Sequence, residues 1–241
     1  MSTLEDVRRS TVTPARAVAL TIDRSALDAR LGTATRPSWR GRLHGIALVV
    51  ALPLLVLLTI EADGARHRAG VIVYAVALSS MLSVSTIYHR WVHTLHARAI
   101  WRRADHAMIY AAIAGTCTPL CLALLDTAAA VPLLAITWTL AAIGVAAKLA
   151  RSPLGDRVGT AMYIGNGWAG LLLLPALWSR GGILPTVLVI GGGVVYTLGA
   201  IGFGRQWPRL RPHVFSYHEV WHVCTLAAAS AHLAAVWMVT A

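Results

Sequence analysis

Long runs of apolar residues separated by short polar stretches occupy the chain after residue 42. Several of these runs reach the length of about 20 residues that a helix needs to cross a bilayer. A soluble fold would leave such runs without a place to be buried. The pattern therefore predicts an all-α integral membrane protein, a seven-transmembrane helix bundle, with spans at 43–61, 70–89, 104–125, 129–148, 159–178, 183–203 and 217–239.

Residues 1–42 differ from the rest of the chain in composition. They contain eight Arg and four acidic residues and little apolar periodicity, and after Asp28 every charged residue is an Arg. Such a segment favours contact with anionic lipid headgroups. The chain is accordingly divided into a basic cytoplasmic tail, residues 1–42, and a membrane domain, residues 43–241.

The basic residues predict how the bundle is oriented. If the N-terminus is inside, 18 of the 21 Lys and Arg residues fall on inner segments, and only Arg66, Arg68 and Arg180 fall on outer loops. The positive-inside rule then places the N-terminus in the cytoplasm and the C-terminus outside, in agreement with an odd number of spans. The net charge of +11 is explained by the basic residues on the cytoplasmic side of the membrane, so it does not indicate a nucleic-acid partner.

The last apolar run opens with a histidine pair. His218 and His222 stand four residues apart, so on a helix both imidazoles leave the same face. This spacing is a common way for one helix to hold a transition metal, and Glu219 completes the pattern H-E-x-x-H. The alternative is that these histidines and the glutamate bind no metal and only extend their polar ends to the membrane surface.

Further polar residues gather at the same leaflet in the predicted topology. His89 lies at the inner end of the second span with Ser85 one turn deeper, and Asp105 lies at the inner start of the third. Ionisable residues at such positions usually face a cavity or a site. Three neutral imidazoles can supply a catalytic zinc site with an open fourth position.

The other histidines fit this group less well. His93 and His96 fall in an inner loop beside Arg residues, which predicts solvated side chains. His106 is about 100° round the helix from Asp105, which predicts a packing or supporting role. His232 lies ten residues beyond His222, about 15 Å deeper, so it is not expected to share the metal.

Three motifs in order resemble the hemolysin III family, the bacterial branch of the progestin and adipoQ receptors. The resemblance covers about residues 37–240, and its motifs are Ser85-x-x-x-His89, Asp105-His106-x-x-Ile109-Tyr110 running into 114–119, and His218-Glu219-x-x-His222. It implies a seven-helix membrane protein with zinc held by His89, His218 and His222. It also implies that Asp105 and Ser85 lie around the water of the metal site.

The sequence departs from the family pattern at three places. Cys117 stands where relatives commonly have Tyr, and the Glu and Asn often found before the first span are not evident near Arg40, although His44-Gly45 is similar to that region. Glu219 is Gln in many receptor-type relatives. The resemblance therefore does not imply a protease-like base role for Glu219.

The favoured hypothesis is a zinc-dependent hydrolase in the cell membrane that acts on membrane lipid amides or esters. Asp105 is the better candidate base, because it stands on a separate helix that can face the metal across the bundle. One alternative is a non-enzymatic receptor or regulator of membrane lipid state with structural zinc. The other is an intramembrane metalloprotease with Glu219 as its base.

Overall fold

The computed structural model describes residues 37–150, 159–211 and 213–241, so most of the predicted tail lies outside the described residues. The described part is helical. Its helices are α1 (Arg42–Glu61), α2 (Gly64–Arg90), α3 (Leu95–Leu124), α4 (Thr127–Leu149), α5 (Gly159–Trp168), α6 (Ile183–Gly204) and α7 (Tyr217–Thr240). The division of the chain at residue 42 remains a prediction.

Six of these helices, all but α5, are long and apolar enough to cross a membrane. The faces that do not pack inside the bundle are apolar as well: Val49, Val56 and Ile60 of α1 are all more than half exposed. Large apolar side chains in such positions suit contact with lipid rather than water. The chain is therefore a helical membrane protein.

The fifth predicted span is an interrupted helix. After α5 the backbone tightens to 3₁₀ geometry at Ala169–Leu173, makes one α-helical turn at Leu174–Ala176 and widens to π geometry at Leu177–Gly181. The chain stays helical over the predicted range, yet no single regular helix fills it. Irregular helix geometry of this kind is tolerated in a membrane where neighbouring helices surround it.

The third predicted span begins earlier than expected. The sequence prediction started it at residue 104, whereas α3 begins at Leu95, where the Thr94 hydroxyl accepts a hydrogen bond from the Ala97 amide. Asp105 therefore lies about three turns inside the helix rather than at its start. The charged residues before Asp105 are good helix formers, so the helix continues beyond the apolar run.

Successive long helices alternate in direction, so the ends of the bundle can be identified by contacts between loops. At one end the Asp63 amide donates to the Thr240 carbonyl at 2.8 Å, and Arg66 donates to the Leu125 carbonyl at 2.8 Å. At the opposite end the Ser38 amide donates to the His213 carbonyl at 3.1 Å. The candidate site lies at this second end.

The core between the helices is apolar and closely packed. Buried residues of α1, α2 and α3 form most of it, among them Leu58, Tyr74, Leu82, Leu120 and Leu124. Gly115 of α3 lies directly against Ala77 of α2, and any side chain there would collide with it. This close approach holds α2 and α3 together, and it thereby sets the relative positions of Ser85 and Asp105 on the two helices.

Candidate metal centre

Three histidines from two helices come together at one end of the bundle. His89 is in the last turn of α2, and His218 and His222 are in the first two turns of α7. Their potential ligand atoms lie within 4.8 Å of one another, and Nε2 of His89 is 3.2 Å from Nε2 of His218. The three imidazoles form a group that can hold a metal ion.

The segment before α1 packs against the three-histidine group. Gly41 has a positive φ of 74°, and a Cβ on it would come within 2.6 Å of the His89 Cβ. Glycine is therefore required at this position both by the backbone conformation and by the space that His89 occupies. The approach holds the start of α1 against the end of α2.

Glu219 does not face the three imidazoles. One of its carboxylate oxygens pairs with Arg40 Nε at 2.5 Å, and the other accepts the Ser216 amide at 2.8 Å. The second bond is half of a capping box, which satisfies a backbone donor at the start of α7. Glu219 therefore ties α7 to the segment before α1, and both of its carboxylate oxygens are engaged.

We expect Arg40→Gln to lower the free energy of unfolding by about 3 kcal/mol, because the change leaves the buried Glu219 carboxylate without its cation. Glu219 is only 1% exposed, so water cannot replace that cation. Denaturant unfolding in detergent measures the change, and Arg42→Gln, at an exposed position two residues further along the chain, is the matched control. Equal stabilities of the two variants would show that the pair does not anchor α7.

His44 belongs to the same cluster, although the sequence analysis gave it no role. Its ring lies 4.0 Å from the ring of His222, its Nδ1 is 2.8 Å from Ser85 Oγ, and its Nε2 is 3.2 Å from Thr225 Oγ1. The Thr225 hydroxyl also donates to the His222 carbonyl at 2.8 Å. The His44 ring is therefore held between hydroxyl groups of α2 and α7.

The signal that points to His44 is its position. Like His218, it stands in the first turn of a helix that begins at this end of the bundle. A single histidine in the sequence does not show which residues of other helices it will contact. Its two hydrogen-bond partners, Ser85 on α2 and Thr225 on α7, could therefore not be predicted. His44 therefore contacts both Ser85 and His222.

Asp105 approaches the cluster from α3. Its carboxylate is a hydrogen-bond partner of the Ser85 side chain, and it lies 3.5 Å from Nδ1 of His106. His106 Nδ1 also lies 2.8 Å from the Arg102 carbonyl, so His106 supports Asp105 rather than joining the three-histidine group. Ser85 thus links Asp105 to His44.

The remaining predicted positions are separate from the group. His93 and His96 are exposed, and His96 lies in α3 rather than in a loop. His232 lies deeper on α7, where its Nε2 contacts the Val189 carbonyl at 3.1 Å. These three histidines were not expected to share the metal, and in the structure they lie outside the three-histidine group.

A cavity of about 400 Å³ connects this cluster with the middle of the bundle. Ser85, Asp105, His218 and His222 line one end of it, and residues of α3, α5, α6 and α7 line the rest. Cys117, the departure from the family pattern, is a small side chain in that wall. The site therefore opens onto a space between the helices of the bundle.

Comparison with known proteins identifies relatives over most of the chain. A family model described as "Haemolysin-III related" matches residues 33–233. Hemolysin-3 of Bacillus cereus is 30% identical over 190 residues, covering 78% of this chain and 84% of the relative. The Hemolysin-3 homolog of Bacillus subtilis strain 168 is 29% identical over 191 residues, covering 78% of this chain and 86% of the relative.

Proposed function

Because the chain belongs to the haemolysin-III-related family, we propose that its three-histidine group binds zinc and serves hydrolysis of membrane lipid amides or esters. The observation that carries the proposal is the cavity, which joins His218, His222 and Asp105 to an apolar space between the helices. A lipid chain can occupy that space while its carbonyl lies at the polar end. The apolar wall of the cavity would not contribute to the binding of a water-soluble substrate.

The donor set supports zinc as the metal. Two nitrogens each about 2.0–2.1 Å from a tetrahedral zinc lie about 3.3 Å apart, and Nε2 of His89 and Nε2 of His218 are separated by 3.2 Å. Three imidazoles leave one of four positions open, which is the arrangement of catalytic zinc sites. When bound there, zinc supplies a Lewis acid for a carbonyl and for water.

Side chains of the protein accept the proton and hold the accepting group in position. Asp105 lines the cavity beside the histidines, and its carboxylate accepts the proton of the attacking water in this proposal. Ser85 holds Asp105 in place, because its hydroxyl touches both the Asp105 carboxylate and His44 Nδ1. His44 in turn is fixed by Thr225.

A second candidate is a regulator of membrane lipid state in which the metal is structural. The observation that favours it is that the three ligands come from two helices far apart in sequence, so a bound metal would crosslink α2 and α7. The intramembrane metalloprotease is not supported by a comparable observation, because both oxygens of Glu219 are engaged by Arg40 and Ser216.

The hydrolase proposal is tested with the purified chain in lipid nanodiscs that contain a panel of lipid amides and esters. Mass spectrometry of released fatty acid should detect turnover that a strong zinc chelator removes and added zinc restores. His93→Ala, an exposed histidine of the same end, should keep this turnover. Zinc-loaded protein that releases no fatty acid from any member of the panel would favour the regulator instead.

The proposed site also requires a definite orientation in the cell membrane: seven spans, with the N-terminus in the cytoplasm and the C-terminus outside. It is supported by the bundle end that carries the histidines, where Arg40, Arg42, Arg90 and Arg205 also lie. Basic residues of this kind remain on the cytoplasmic side. The fifth span in this proposal is the interrupted helix from Gly159 to Gly181.

A reporter fused after Ala241 should be active outside the cell, and one fused to the chain truncated after Arg209 should be active in the cytoplasm. The physical reason is the unequal distribution of basic residues between the two ends. Paired alkaline phosphatase and fluorescent protein fusions measure the location. A cytoplasmic reporter at Ala241 would contradict seven spans or the orientation.

A further inference from the structure

The cavity has a second polar end that the proposed hydrolysis does not use. It extends from His222 to His232, which both line it. These residues are ten positions apart on α7, so the two ends are separated by about 15 Å. A ligand that fills the cavity therefore meets polar groups at both ends.

The wall between the two ends is apolar. Ile109, Ile113, Leu120, Leu171 and Ile190 contribute to it. Two threonines also line this part, but their hydroxyls already donate to backbone carbonyls of their own helices: Thr116 to Ala112 and Thr197 to Gly193, each at 2.8 Å. The middle of the cavity therefore suits an unsubstituted hydrocarbon chain.

The orientation of His232 leaves one ring nitrogen able to accept a hydrogen bond. Its Nε2 lies 3.1 Å from the Val189 carbonyl, and because a carbonyl can only accept, Nε2 carries the proton. Nδ1 of the neutral ring is then an acceptor. The ring is held by close contact with Gly192, where a Cβ would collide with Nε2.

Tyr196 of α6 lies close to the His232 ring. Its ring centroid is 5.7 Å from that of His232, and it lines the same cavity. Among the residues that the structure describes, the Tyr196 hydroxyl has no hydrogen-bond partner, and neither has the buried hydroxyl of the neighbouring Tyr74. Buried polar groups are normally satisfied, and because Tyr196 lines the cavity, a ligand there can supply the partner that its hydroxyl lacks.

We propose that Tyr196 and His232 form a subsite for a hydroxyl group carried on a long apolar chain. A hydroxyl fits because it can donate to His232 Nδ1 and accept from Tyr196. An anionic group would require a cation, and the basic residues of the cavity wall, Arg102 and Lys148, lie at the opposite end.

The separation of the two ends sets the position of the hydroxyl. An extended chain advances roughly 1.2 Å per bond, so about 12 carbon atoms span the 15 Å between the ends. The ligand class is thus a hydroxylated acyl chain with its carbonyl at the three histidines and its hydroxyl near carbon 12. The placement of the carbonyl rests on the proposed function, whereas the hydroxyl subsite can be measured without turnover.

The test compares binding of dodecanoate, 12-hydroxydodecanoate and 2-hydroxydodecanoate to the purified full chain in nanodiscs. We expect the 12-hydroxy compound to bind about five- to tenfold more tightly than dodecanoate, the gain of one or two hydrogen bonds. The 2-hydroxy compound should show no such gain. Equal affinities of dodecanoate and 12-hydroxydodecanoate, measured by titration calorimetry, would overturn the proposal.

Tyr196→Phe removes only the hydroxyl, and it should reduce the preference for 12-hydroxydodecanoate to less than twofold while dodecanoate binds as before. Tyr217→Phe, outside the cavity wall, is the matched control and should keep the preference. A full preference in Tyr196→Phe would refute the subsite. Preference for the hydroxyl without any hydrolysis would refute only the proposed function, and hydrolysis without preference would refute only the subsite.

Discussion

Asp105→Asn should lower the turnover of a lipid amide or ester by about 10²- to 10⁴-fold, the usual effect of losing a general base. The substitution preserves side-chain volume and hydrogen bonding to Ser85 but removes the charge that accepts the proton. Zinc should remain bound, because Asp105 is not one of the three imidazole ligands. Fatty-acid release and zinc content are measured on the same preparation.

Two results would separate the alternatives for Asp105. If the metal is only structural, Asp105→Asn should lower thermal stability or zinc content without a separate loss of turnover. Asp63→Asn, an exposed aspartate at the opposite end of the bundle, is the control for the chemical change itself. Unchanged turnover together with full zinc in Asp105→Asn would end the proposed role of this carboxylate.

His222→Ala should remove nearly all bound zinc and reduce lipid hydrolysis to background. The reason is that the proposed site draws three ligands from the residues that the structure describes, so losing one leaves two imidazoles, one of which, His218, is partly exposed. Elemental analysis of protein purified from zinc-supplemented cells measures the loss. Removing a group that only hydrogen-bonds to a metal ligand already lowers metal affinity about 10- to 100-fold, so loss of a ligand should lower it further.

His93→Ala and His232→Ala serve as controls for this experiment. His93 is exposed, and His232 lies about 15 Å from His222 along α7, so neither removal should alter zinc content. Equal zinc loss in all three variants would mean that the ligands have been assigned wrongly.

Much of this architecture could be predicted from the sequence because its signals are local. Runs of about 20 apolar residues predicted the long helices, and the spacing of His218 and His222 predicted a shared face. The meeting of His89 with this pair followed from the alternating direction of the spans. These predictions needed only the period of a helix and the thickness of a bilayer.

The features that sequence reasoning missed depend on contacts between distant residues. Arg40 and Glu219 are 179 positions apart, so the H-E-x-x-H pattern cannot show that its glutamate is already paired. His44 acquires its place only through hydroxyls on α2 and α7. The interrupted helix after α5 was missed for another reason, because apolar composition is the same for α, 3₁₀ and π geometry.

The central claim is that one zinc ion binds at His89, His218 and His222, and X-ray absorption at the zinc K-edge of the purified full chain tests it most directly. We predict one zinc per chain, three imidazole nitrogens at about 2.0–2.1 Å and one further oxygen ligand. His218→Ala should abolish that signal, whereas His93→Ala should leave it unchanged. A zinc-free protein after expression with ample zinc, or a spectrum dominated by sulfur or carboxylate ligands, would contradict it.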